Sequence, residues 1–143
     1  MKVFSKIQVF VRLSFRRKLL LSVLFLLSLY SYIMLLFFKK KAKFGERNKP
    51  VVKSGSVDME LVKDISFAIR IVSKYSPWQN VCRHQAFQAK MLCDFNKIPY
   101  TIYIGVKKNE DGVLEGHAWT IVNEQFMTGF CKVEEYVIQT SFS

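Results

Sequence analysis

Cys82 and His117 are the two residues of this chain whose types and surroundings could do covalent chemistry together. Residues 77–98 read PWQNVCRHQAFQAKMLCDFNKI. The opening Pro-Trp-Gln-Asn forms a turn, and a helical pattern starts near Asn80. Cys82, Ala86, Ala89 and Cys93 then fall at steps of four, three and four, on one face of small residues that lets the helix approach a sheet closely. Cys82 lies in the first turn, where the positive end of the helix favours a thiolate. The free N–H groups of that turn can also hold an oxyanion. A nearby imidazole would take the thiol proton and return it to a leaving group.

The imidazole comes from the segment that follows. After Ile98-Pro99, residues 100–106 (YTIYIGV) alternate as a β-strand, 107–112 (KKNEDG) make a polar turn, and 116–122 (GHAWTIV) make a second strand. His117, Trp119 and Ile121 share one face of it, and Ala118, Thr120 and Val122 share the other. A further short strand spans roughly residues 126–130. Spacing alone leaves the bland reading open, since a lone helical Cys is most often a small buried apolar residue. A lone His beside a Trp is likewise most often a hydrogen-bonded core or rim residue. Cys93 reads as core, His84 as exposed on another helix face, and Cys131 receives no role. Cys82, His84, Cys93, His117 and Cys131 lack the paired spacing of a zinc site, so no metal and no cofactor is expected. Three cysteines at irregular spacing make a poor disulfide framework and fit a reducing compartment.

The elements that must position this pair occupy the last two thirds of the chain. Among 143 residues, 1–53 hold 13 Lys/Arg against one acid, whereas 54–143 hold 9 against 10. The folded part is therefore not a basic nucleic-acid-binding domain, and no nucleic-acid partner is expected. Gly45 to Ser56 has loop composition, giving an N-terminal segment 1–44, a linker 45–56 and a domain 57–143. Within the domain, Leu61, Ile65, Ala68/Ile69 and Val72 mark one apolar face of a packing helix that Pro77 stops.

Residues 19–38 carry no charge over about 30 Å of helix, the thickness of a bilayer's hydrocarbon core. Basic residues flank both ends: Lys2 to Lys18 before, and Lys39, Lys40, Lys41 and Lys43 after. The positive-inside rule thus gives no orientation. The helix either spans a membrane, lies along an anionic membrane surface, or packs on the protein.

The segment CRHQAFQAKMLCDFNKIPYTIYIGV followed by EGHAWTIV resembles the transglutaminase-like B protein family of lasso peptide biosynthesis, leader peptidases related to microcin-processing proteins. The matching features are Cys82 opening a helix, Ala86, Leu92, the Ile98-Pro99 break, Ile-Gly-Val at 104–106 and His-Ala-Trp at 117–119. The leucine-rich N-terminus ending FFKKKAKFG resembles the family's first segment. The resemblance implies an α+β, papain/transglutaminase-like fold and a cysteine peptidase that removes the leader from a ribosomally made precursor. Cys82 carries over as nucleophile and His117 as general base, with Trp78 and Trp119 as candidates for the pocket wall or oxyanion donor. The implied partners are the precursor peptide, a stand-alone leader-recognition protein and an asparagine-synthetase-like lasso cyclase. The implied location is the cytoplasmic face of a bacterial cell membrane.

The sequence departs from the family at one point. Members often carry an aspartate about twelve residues after the histidine, and here that position is Gly129, with no Asp after Asp111. Thr128, a backbone carbonyl or a water could orient His117 instead; Asn123 lies farther off in the hairpin turn. Two other readings stay open: a different thiol acyl-transfer enzyme, and a non-catalytic membrane-associated scaffold.

Overall fold

A computed structural model describes residues 11–38, 42–50 and 56–143. Helix α1 (Phe15–Phe37) is capped by Ser14, whose hydroxyl accepts from the Arg17 N–H. Helix α2 (Met59–Tyr75) starts where the Asp58 carboxylate accepts from the N–H groups of Glu60 and Leu61, a side-chain N-cap. It ends two residues before Pro77, as expected. Helix α3 (Cys82–Asn96) opens on the cysteine itself and closes on Lys97 in a left-handed conformation, where the Ile98 N–H reaches back to the Cys93 carbonyl.

Strands β1 (Thr101–Lys108), β2 (Leu114–Val122) and β3 (Gln125–Thr128) form the expected antiparallel meander. A 3₁₀ turn (Val133–Glu135) then leads into β4 (Val137–Phe142), a strand the sequence pattern leaves unmarked. β4 pairs antiparallel with β1, so the sheet order is β3-β2-β1-β4.

The helices cover one face of this sheet. Ile65, Ile69 and Val72 of α2, Ala86, Ala89 and Cys93 of α3, and Ile102, Ala118 and Val122 of the sheet form one buried cluster with Leu24 and Leu35 of α1. Ala86, Ala89 and Cys93 are fully buried, so the small-residue face of α3 does bring helix and sheet together.

Two segments bear on the domain reading. Phe44 is buried in the same core and meets Phe87 edge-on at 5.7 Å. Beyond it, Glu46 exchanges backbone hydrogen bonds with Ser143, and the Asn48 N–H donates to the Ser141 carbonyl at 2.8 Å. The start of the expected linker is therefore an added bridge on the edge of β4, while residues 51–55 lie outside the described residues. The other segment is α1, which is docked on the domain along its length, one of the arrangements its composition leaves open. Leu24, Ser28, Ser31 and Leu35 form a buried stripe. Asp64 of α2 clamps Arg17 Nε at 2.7 Å and Arg16 Nη2 at 2.9 Å.

Candidate active site

The site is built where α3 begins and β2 begins. A short connection, residues 97–100, turns α3 back into β1, and β2 runs antiparallel to β1. The N-terminus of α3 and the first half of β2 therefore lie at the same end of the helix–sheet layers. Cys82 is the first residue of α3 and His117 is the fourth of β2.

Cys82 is half-buried and packs against the core cluster. Its helix start is held from behind by amides. Gln85 Nε2 donates to the Asn80 carbonyl at 2.9 Å, and Gln88 Nε2 donates to Asn80 Oδ1 at 2.9 Å and to Ser31 Oγ of α1 at 2.9 Å. Val81, in the cap position, offers no side-chain cap, so the first-turn N–H groups are left to solvent or a ligand oxygen. Trp78 does not stand free as an oxyanion donor: its indole N–H donates to Ser28 Oγ at 3.2 Å, and its ring meets Phe25 at 5.1 Å. Its role is to tie the loop before Cys82 to α1.

His117 sits in an aromatic layer. Its ring lies 6.1 Å from Trp119 and 5.5 Å from Tyr136, and Trp119 stacks on Tyr103 at 5.7 Å. Trp119 is buried and acts as a wall of this layer. Gly105, paired across the strands with His117, makes room for it: a Cβ there would come within 2.9 Å of Trp119 Cη2 and 3.1 Å of Tyr136 Cβ. The glycine of the Ile-Gly-Val run is thus required by the indole of the His-Ala-Trp run. Tyr136 is fixed in turn by Lys107, whose Nζ lies 5.0 Å from its ring and pairs with Glu135 at 3.1 Å.

The imidazole has a main-chain partner twelve residues further on. His117 Nε2 lies 2.9 Å from the Gly129 carbonyl oxygen. A carbonyl only accepts, so Nε2 carries the proton and Nδ1 is the basic nitrogen of the neutral ring. Gly129 has φ +68, and a Cβ there would overlap the Ala118 carbonyl oxygen and come within 2.8 Å of Trp119 Cα. No side chain fits this position, so the main chain supplies the acceptor.

The other orienting candidates are occupied or displaced. Thr128 Oγ1 donates to Thr120 Oγ1 at 3.0 Å, both buried. Asn123 sits in the β2–β3 turn with φ 47. No hydrogen bond joins Cys82 to His117 among the described residues. Strand alternation directs Ala118, Thr120 and Val122 towards the helices, and His117 with Trp119 into the aromatic layer. Cys82, packed under the helices, and His117, in the aromatic layer, thus share one end of the fold.

Two other titratable groups, Cys93 and His84, sit in packed surroundings. Burial, and then Asp94, push the Cys93 thiol up to about 12. His84, expected to be exposed, is half-buried: its ring stacks on Tyr32 of α1 at 6.1 Å, and its buried Nδ1 has no partner. Burial first, and Arg83 second, hold its pKa below the ordinary value. Residues given no role from sequence are Gly105, Tyr103 and Tyr136, while the backbone carbonyl offered there as a partner for His117 is that of Gly129. Only the IGV glycine left a signal, as a small residue inside a strand.

No curated protein and no solved structure matches the chain. The pattern of the transglutaminase-like superfamily matches residues 27–140, from the middle of α1 to β4. A first-turn helical cysteine, a strand histidine bonded to the next strand's end, and a small antiparallel sheet under the helices accord with that match, and this α+β chain belongs to the transglutaminase-like superfamily.

Proposed function

We propose that the chain is a cysteine peptidase that removes the leader from a ribosomally made lasso peptide precursor. It acts with a separate leader-recognition protein and hands its product to an asparagine-synthetase-like, ATP-dependent cyclase. The observation that carries the reading is the protonated Nε2 of His117 on the Gly129 carbonyl, which leaves Nδ1 as base at the end of the fold where Cys82 opens α3. The superfamily includes cysteine peptidases and acyltransferases, and the Cys-helix, IGV and HAW order resembles the lasso B proteins within it.

In the proposed reaction His117 Nδ1 takes the Cys82 proton and the thiolate attacks the scissile carbonyl. The first-turn N–H groups hold the oxyanion. The imidazolium then protonates the leaving amine, and water hydrolyses the thioester with His117 again as base. Substrate binding has to bring the imidazole to the sulfur. Gly116, just before His117, has open space where a side chain would stand, and that is room for a peptide. Precursor and ATP-using partner are inside the cell, so the domain works in the cytoplasm.

The test is incubation of precursor, leader-recognition protein and this chain, followed by mass spectrometry. Free leader should appear with the parent and vanish with Cys82→Ala and His117→Ala. Cleavage retained by Cys82→Ala removes the peptidase assignment, and acyl transfer without hydrolysis assigns another thiol enzyme. The absent Cys82–His117 bond favours a second reading, a non-catalytic scaffold of the maturation complex. Its mark is a Cys82 that reacts with iodoacetamide no faster than a free thiol, with and without precursor.

A further inference from the structure

Helix α1 is built inside out. Its inward stripe contains the serines: Ser28 takes the Trp78 indole N–H, and Ser31 takes the Gln88 amide. The opposite side, where a docked helix of a water-soluble domain carries polar residues, is apolar. Leu19, Leu26, Ile33 and Phe37 lie opposite the buried stripe, and Leu26 is 68% and Phe37 71% exposed. No Asp, Glu, Lys or Arg occurs between Lys18 and Lys39. The helix is apolar and long enough to cross a bilayer.

From this we infer that the outer face of α1 lies in the plane of an anionic lipid bilayer, as an interfacial anchor that does not span. The charge pattern selects lipid. Arg12 and Lys18 stand at the N-terminal end of the face while Asp64 holds Arg16 and Arg17, and the sequence continues past Phe38 with Lys39, Lys40, Lys41 and Lys43, so basic residues flank the apolar run on both sides as one anionic surface requires. A protein-binding face would mix polar groups with its apolar centre, and this one carries only the hydroxyls of Ser22 and Tyr30. Packing selects the in-plane orientation. The domain contacts α1 from the Asp64 clamp on Arg16 and Arg17 to the His84 stack on Tyr32. A spanning α1 would draw Asn80, His84 and Gln88, which pack against its middle at Ser31 and Tyr32, into hydrocarbon along with it. The inference is independent of the peptidase reading.

The experiment uses the full chain and sealed vesicles of phosphatidylethanolamine with about one third phosphatidylglycerol, a typical anionic surface. The parent should sediment with these vesicles, and far less with phosphatidylcholine alone or at high salt. Leu26→Glu/Ile33→Glu, both on the outer face, should reduce partitioning about tenfold or more while circular dichroism stays unchanged. Ser14→Cys and Lys43→Cys should both react with an impermeant maleimide, above parental background, on vesicle-bound protein. Three results would each overturn the inference: a parent that stays in the supernatant, a folded double variant that binds as well as the parent, and one end protected until detergent is added. A soluble dimer that the double variant dissolves would assign the face to a second copy and also overturn it.

Discussion

Replacing Gly129 by alanine tests the claim that only main chain fits beside His117 at this position. Two penalties apply. A left-handed φ of +68 costs a non-glycine residue about 1–2 kcal/mol. The new Cβ also overlaps the Ala118 carbonyl and crowds Trp119 Cα and Cβ, which are backbone or buried groups that can only move together, at about 1–3 kcal/mol. Fewer unfolded conformations return about 0.4–1 kcal/mol. The net loss is about 3 kcal/mol, or roughly 10 °C in Tm for a chain of this size. Gly112 supplies the control, since it has φ +76 with nothing within 4 Å of its Cβ. Gly112→Ala should therefore lose only the backbone part, about 1 kcal/mol. Urea and thermal denaturation of both variants give the difference, which isolates the overlap. Equal shifts for the two variants would refute the packing argument. Gly129→Asp, with a larger side chain at the same crowded place, should be less stable than the alanine variant and should not raise any activity.

Three further outcomes follow from the site. Trp78→Phe and Ser28→Ala should each cost about 1 kcal/mol, and a double-mutant cycle should return a coupling near that size from the shared hydrogen bond; additive effects would remove the brace between α1 and the Cys82 loop. His84 is held neutral by burial and then by Arg83, so its folded pKa lies below the ordinary 6.5. The unfolded chain then takes up that proton first, and stability should fall as pH drops below 6.5, with no contribution from this group above it. His84→Gln, measured by urea titration from pH 7.5 downward, should flatten that slope; an unchanged slope would place the acid sensitivity elsewhere. Iodoacetamide mapping of the native chain should label half-buried Cys82 first, Cys131 more slowly because burial and Glu134 with Glu135 raise its pKa, and buried Cys93 last, with its thiol pushed up to about 12. Early labelling of Cys93 would contradict the core packing.

The sequence by itself determined the local elements and the order of the chemistry. Apolar steps of three and four and Pro77 fix α2, small residues at Cys82, Ala86, Ala89 and Cys93 fix the sheet-facing side of α3, and alternation fixes β1 and β2. These signals are short-range, so neighbouring residues suffice to read them. Tertiary structure decided what depends on distant partners. β4 exists by pairing with β1 and by the bridge from Glu46 to Ser143, the second of which spans most of the chain. Only docking shows which side of a uniformly apolar α1 faces the protein, since composition gives that helix no polar stripe to align. The partner of His117 is a carbonyl, and every residue has one. No residue type could announce that the oxygen of Gly129 lies 2.9 Å from Nε2, because the fold alone brings it there.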